Sequence, residues 1–312
     1  MTNNSSLSGG DLVPRRITIQ VIIVQVLVII FLVINFTLIV TFFKNENFIT
    51  TTRYILFALT LLSDSLILIM TDVLLLLSFF QITMQVWLCV IISVLVYPYY
   101  KITPVTLTAM TLERYVAVCM PLHHGELCSM RTTVHCILII HGLSAIPCAL
   151  ILCTFFATAS LSSYTEDRIC SEEMFILYKW QDHVRSSVQQ AFFFIMFIII
   201  VFCYFKIMKA ARAASGELKK LTNKGLRTVV LHGFQLMFCL TSLWCPLIET
   251  AVLQISFKLF IDVRYFNYIM FSLSPRCLSP LIYGVRDEQF CFALKHYILS
   301  GFHNRKIGFP DK

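Results

Sequence analysis

Charge is what this chain has least of. Only 13% of its 312 residues are Asp, Glu, Lys or Arg, while 58% are hydrophobic and the mean hydropathy is +0.79. A water-soluble domain carries charge on about a quarter of its residues, so a soluble globular protein is excluded. Glycine and proline are scarce too, 10 and 9 residues, and they are scattered. No linker divides the chain and no segment recurs at a fixed period, which excludes a tandem array and favours one domain. The first ten residues are polar and lack a basic stretch, so no cleavable signal peptide is expected. Zinc-ligand spacing, a phosphate-binding glycine loop and a nucleophile elbow are missing as well. The chain therefore reads as no enzyme, with neither cofactor nor metal.

What the chain does have is long apolar runs. Ile17 to Phe43 is 27 residues without a charge, enough to cross a bilayer core of about 30 Å. Six further runs follow, at Tyr54–Phe80, Val86–Leu112, Thr132–Thr158, Ser187–Met208, Leu226–Ile255 and Ile261–Val285. Lipid offers a bare backbone no hydrogen-bond partner, so such runs must be helical. The expected fold is an all-α membrane protein, a seven-transmembrane helix bundle, with its termini on opposite sides. Residues 1–16 form a head, 17–285 the bundle and 286–312 a tail.

Lys and Arg placement orients it. The head and the loops after spans two, four and six hold seven of these residues, whereas the other side holds sixteen, seven of them between Lys206 and Arg227. The basic side is expected to be cytoplasmic, which puts the N-terminus outside and the C-terminus inside a plasma membrane. Overlapping glycosylation sequons at Asn3 and Asn4 agree. This layout also assigns the net charge of +8 to topology and attraction to anionic membrane lipid, not to nucleic acid. In the tail, Phe290, Leu294, Tyr297 and Ile298 recur at helical spacing, so a short amphipathic helix at the inner interface is expected.

Of 12 cysteines, ten fall in spans or on the cytoplasmic side, where they serve as small apolar packing residues. Cys89 and Cys170 alone face an oxidising compartment and are the disulfide candidates. Intramembrane charges are costly and mark function. Asp64 lies 11 residues beyond Arg53, and Arg276 lies 10 before Arg286, so both sit roughly 15 to 17 Å above the cytoplasmic end. Equal depth and opposite sign predict a direct ion pair, either structural or part of a switch. Lys101, 13 residues before Arg114, falls near the midplane, with Tyr97, Tyr100 and Pro104 on its approximate face. It either contacts an anionic or polar ligand or is neutralised internally, with Asp72 and Glu249 as available acids.

Span three closes on Met110 to Leu122, Met-Thr-Leu-Glu-Arg-Tyr-Val-Ala-Val-Cys-Met-Pro-Leu. An Arg held by an adjacent acid in one state and released in another meets the requirement for a two-state switch. This stretch resembles the Asp-Arg-Tyr region of rhodopsin-like (class A) G-protein-coupled receptors, and the longer string is similar to that of vertebrate odorant receptors. Leu-Trp-Cys-Pro in span six, with Trp244 and Pro246, is similar in place to the family's activation lever. Ser279-Pro280-Leu-Ile-Tyr283 resembles its Asn-Pro-x-x-Tyr.

The resemblance implies that Glu113, Arg114, Tyr115, Tyr204 and Tyr283 form the G-protein switch and that Pro280 belongs to the lever. It also implies that Cys89 pairs with Cys170 and that Tyr97, Tyr100, Lys101, Pro104 and Glu249 line a ligand pocket. The partners implied are a small-molecule odorant and a heterotrimeric G protein of the stimulatory, olfactory type. Asp64 matches a family acid that often helps to bind sodium, but Arg276 and Ser279 argue against sodium here. Glu113 in place of Asp, Trp244, Arg276 and the lack of a Trp in span four fit divergent odorant receptors of fish or amphibians. The other readings are a non-olfactory rhodopsin-like receptor and a transporter or channel. A retinal pump needs a Lys in its last span, and Ile261–Val285 contains none.

Overall fold

The computed structural model describes residues 12–170, 172–213, 216–242, 244–277 and 288–300. Five helices in it are long and apolar enough to cross a membrane. They are α1 (Leu12–Phe43), α3 (Thr52–Phe79), α4 (Val86–Cys119), α6 (Met130–Thr158) and α7 (Lys179–Ala213). Short helices α2 (Glu46–Ile49) and α5 (Pro121–Leu127) occupy the loops after α1 and α4.

The sixth span is one apolar run with a bend expected at Pro246, and there the helix divides in two. It comprises α8 (Gly216–Thr241) and α9 (Cys245–Leu253), with Trp244 as the N-cap of α9 and Pro246 in its first turn. A proline has no N–H to give to the preceding turn, so the helix restarts where that donor is not needed. The bonds Trp244 N–H to Thr241 O (3.0 Å) and Ile248 N–H to Trp244 O (3.1 Å) carry the chain across the break. In the seventh span, α10 (Phe257–Asn267) runs into a π-helical turn, Tyr268–Leu273, and the helix then resumes to residue 277. The rest of that expected span lies outside the described residues, as do Asn3, Asn4, Ser279, Pro280 and Tyr283.

Helix α4 sits at the centre, packed against α3, α6, α7 and α8. One buried cluster joins them through Leu56, Phe57, Ile102, Leu107, Ile140 and Ile200. The outer faces stay apolar: Phe36, Leu138 and Phe194 are exposed at 68%, 65% and 63%. Such faces suit lipid, which demands a satisfied backbone and not a polar surface.

Several boundaries move. Helix α4 runs seven residues past the expected Leu112, so Glu113, Arg114 and Tyr115 lie inside a helix and not at its end. Helix α7 begins two turns before Ser187. One feature is not helical: β1 (Met84–Gln85) pairs antiparallel with β2 (Asp167–Arg168), Met84 opposite Arg168. Two-residue strands leave no period-2 signal to detect. Together with the Cys89–Cys170 disulfide, Cα–Cα 5.6 Å, this pairing pins the loop after α6 onto the start of α4.

The tail helix α11 (Glu288–Ser300) has one face on protein, not on lipid alone. Phe290 is 1% exposed, and its ring meets Phe48 of α2 (5.3 Å) and Phe57 of α3 (5.5 Å). Lys44 lies over the Tyr297 ring at 4.2 Å. Burying one aromatic side chain this fully makes α11 part of the fold.

Candidate functional site

The end of the bundle opposite the disulfide carries the acid–base stretch. Glu113 Oε2 lies 3.6 Å from Arg114 Nε, with side chains 10% and 19% exposed. One turn deeper, the Thr111 hydroxyl donates to Leu107 O (2.8 Å) and meets His232 Nδ1 of α8 at 3.1 Å. His232 is fully buried, so this contact ties α8 to α4 beside the Glu113–Arg114 pair. Tyr115 faces Phe202 of α7 with ring centroids 5.8 Å apart, and Tyr204 is half-buried against Phe205.

Deeper in the bundle, Asp64 and Arg276 meet as their equal depth predicts, Arg276 Nη1 standing 3.6 Å from Asp64 Oδ1. Asp64 is completely buried and Arg276 nearly so. The guanidinium is held on three sides: Asp64, the Ser272 carbonyl at 3.0 Å, and the face of Tyr100 at 4.7 Å. The Thr103 hydroxyl donates to Asp64 at 2.7 Å. Burying two charges is tolerable only when such partners satisfy them. The π-helical turn ends just before Arg276, and Gln235 of α8 donates to the Pro275 carbonyl at 2.8 Å. π-turns interrupt the regular ladder and recur at functional sites.

Each of the five expected pocket residues has identifiable neighbours. Tyr97 stands edge-on to Phe175 at 6.2 Å, and Lys101 lies over the Phe193 ring at 5.3 Å. Tyr100 stacks on Arg276, while Pro104 is buried in α4. Glu249 accepts from Asn267 at 3.0 Å, and Asp72 accepts from Gln25. Trp244 is 53% exposed, so its ring lies on the outside of the bundle at the break. A cleft between α6 and α7 is lined by Leu150, Thr154, Phe175, Gln181, Arg185 and Gln189, and none of the five borders it.

Two contributors escape a sequence reading. Thr103 lies eleven residues before Arg114, just as Asp64 lies eleven beyond Arg53, so the depth argument that found Arg276 also points to it. His124, whose Nε2 stands 3.5 Å from Glu113 Oε1, has no such signal, because that contact depends on how α5 folds back.

With this geometry established, the comparisons are specific. Residues 34–283 match the family described as 7 transmembrane receptor (rhodopsin family). The chain is 41% identical over 305 residues to zebrafish (Danio rerio) Odorant receptor 131-2, covering 97% of this chain and 92% of that protein. This is a receptor family and not an enzyme family. A multi-pass bundle, an acid–base pair in its central helix and an identity of this extent converge on one assignment: the chain belongs to the rhodopsin family of seven-transmembrane receptors and, within it, to the odorant receptors.

Proposed function

We propose that this receptor binds a small-molecule odorant in the half of the bundle nearer the disulfide and activates a heterotrimeric G protein at the Arg114 end. The disulfide end faces outward and the Arg114 end faces the cytoplasm, in keeping with the excess of Lys and Arg there. Contact with ligand in the region of Tyr97, Tyr100, Lys101, Pro104 and Glu249 shifts α9 and the seventh span. The break at Trp244 and Pro246 lets α8 move as a lever against α4. Arg114 then leaves Glu113 and, with Tyr115, Tyr204 and Tyr283, meets the partner. The G protein is of the stimulatory, olfactory type.

The observation that carries this reading is the Glu113–Arg114 pair, close enough to attract at 3.6 Å yet too far apart for a hydrogen bond. Because this pair is less deeply buried than Asp64 and Arg276, solvent screens it and opening it costs less. The test is ligand-dependent nucleotide exchange on a G protein in membranes carrying the receptor, with amino acids, organic acids, amines and bile salts as ligands. The expected result is a response abolished by Arg114→Ala, with Lys101→Ala selectively losing acids. A response that survives Arg114→Ala overturns the switch, and ligand-driven uptake or current overturns the receptor mechanism.

A further inference from the structure

The Glu113 carboxylate has a second partner. Helix α5 starts directly after α4, with Pro121 in its first turn, and Met120 between them leaves helical geometry at φ −135° and ψ 56°. That turn folds α5 back on the end of α4. It brings His124 Nε2 to 3.5 Å from Glu113 Oε1, across eleven residues of sequence. On the other oxygen, Arg114 Nε stands at 3.6 Å, and both Oε2 and Nε are buried without a hydrogen bond. One carboxylate is therefore shared at nearly equal range, His124 hydrogen-bonded to Oε1 and Arg114 facing Oε2.

Other charged side chains at this end are engaged elsewhere. Arg53 of α3 donates to the Tyr54 hydroxyl at 2.6 Å, and Lys206 of α7 lies over the Phe202 ring at 5.5 Å. His123 and Glu126, also on α5, are exposed, as is Arg131 at the start of α6. At the junction of α5 and α6, burial and then the nearby Glu113 push the Cys128 thiol above its ordinary range, which keeps it neutral. Among the described residues, His124 is the group that competes with Arg114 for Glu113.

We propose that His124 is a positioning residue for the Arg114 switch. By drawing on Glu113 from α5, it keeps the acid–base pair loose and couples the position of this loop helix to the release of Arg114. The inference rests on Arg114 being the G-protein switch. Its physical content is a sign. Without the imidazole, Glu113 belongs to Arg114 alone and the off state gains. With a permanent cation in its place, the carboxylate is drawn away and Arg114 is repelled, so the off state loses. A histidine that merely stabilised the loop would respond to both substitutions in the same direction.

The experiment is ligand-free nucleotide exchange on purified G protein, using the full chain in nanodiscs, with a thermal melt of each variant to normalise for folded receptor. The side chains of this pair are 39% and 10% exposed, a setting in which ion-pair couplings correspond to factors of roughly 1.5 to 5. His124→Ala is expected to lower basal exchange and His124→Lys to raise it, each within that range. Glu113→Gln is expected to raise exchange and to erase the difference between the two. Equal signs for the two substitutions, or His124 effects that persist in Glu113→Gln, overturn this inference alone. Exchange untouched by Arg114→Ala overturns the switch reading and this inference with it.

Discussion

The buried pair of Asp64 and Arg276 offers the sharpest test of the reasoning. Replacing Arg276 with Leu removes the cation and leaves Asp64 in the core with the Thr103 hydroxyl, 2.7 Å away, as its remaining neighbour from this cluster. At 3.6 Å and an effective dielectric of ~20, the lost attraction is about 4 to 5 kcal/mol. Orphaning one member of a buried pair costs ~3–5 kcal/mol by mutational precedent, and the two estimates agree. Asp64→Asn should cost less. Arg276 then keeps the Ser272 carbonyl and the Tyr100 ring, and the new amide still offers an oxygen. The double variant Asp64→Asn, Arg276→Leu buries no charge and should regain most of the loss.

The assay is thermal unfolding of purified receptor in nanodiscs, followed with a thiol-reactive dye that reports the buried cysteines Cys148, Cys203 and Cys277 as they become accessible. A loss of ~3–5 kcal/mol corresponds to a drop of roughly 5 to 8 °C for Arg276→Leu in a chain of 312 residues. The double variant should recover to within about 2 °C of the parent. A melting point unchanged in Arg276→Leu, or a double variant as unstable as the sum of the singles, would refute the view that these charges satisfy each other.

Other outcomes follow from the same structure. Cys170→Ser opens a loop closed across 81 residues, a loss of about 4–5 kcal/mol in the chain-entropy account; surface labelling of intact cells should fall strongly, and dithiothreitol should destabilise the parent but not the variant. Phe290→Ala empties the site between Phe48, Tyr54 and Phe57 at a cost of ~3–5 kcal/mol, so amides in residues 288–297 should exchange with deuterium much faster while α4 is unaffected. If those amides are equally protected in the variant, lipid and not the aromatic contact holds α11.

Much of the architecture was legible before any coordinates, because the bilayer reduces the options for a charge-poor run to a helix. The spans through Phe43, Phe79 and Thr158 end within a residue of where the hydrophobic runs end. Lipid has no bearing on helix beyond its own thickness, which is why α4 and α7 overrun their apolar stretches by about two turns. The sixth span bends where its proline led one to expect. Its hydropathy is continuous, but Pro246 divides it into α8 and α9.

Among site residues, depth along a helix was computable and azimuth was not. Depth put Asp64 and Arg276 on one level, and they meet. Lys101, Tyr97 and Tyr100, expected on one approximate face of α4, meet Phe193, Phe175 and Arg276, neighbours that spacing along one helix does not name.

Legible from composition and spacing alone were therefore the class, the number of crossings expected, the charge asymmetry and the meeting of Asp64 with Arg276. These depend on composition and on a fixed rise per residue. Which side chains share a carboxylate or a ring was settled by packing between helices and by the turns that join them. The return of His124 to Glu113 and of Phe290 to Phe48 depends on turns at Met120 and on helix packing, where a few degrees of rotation change the partner.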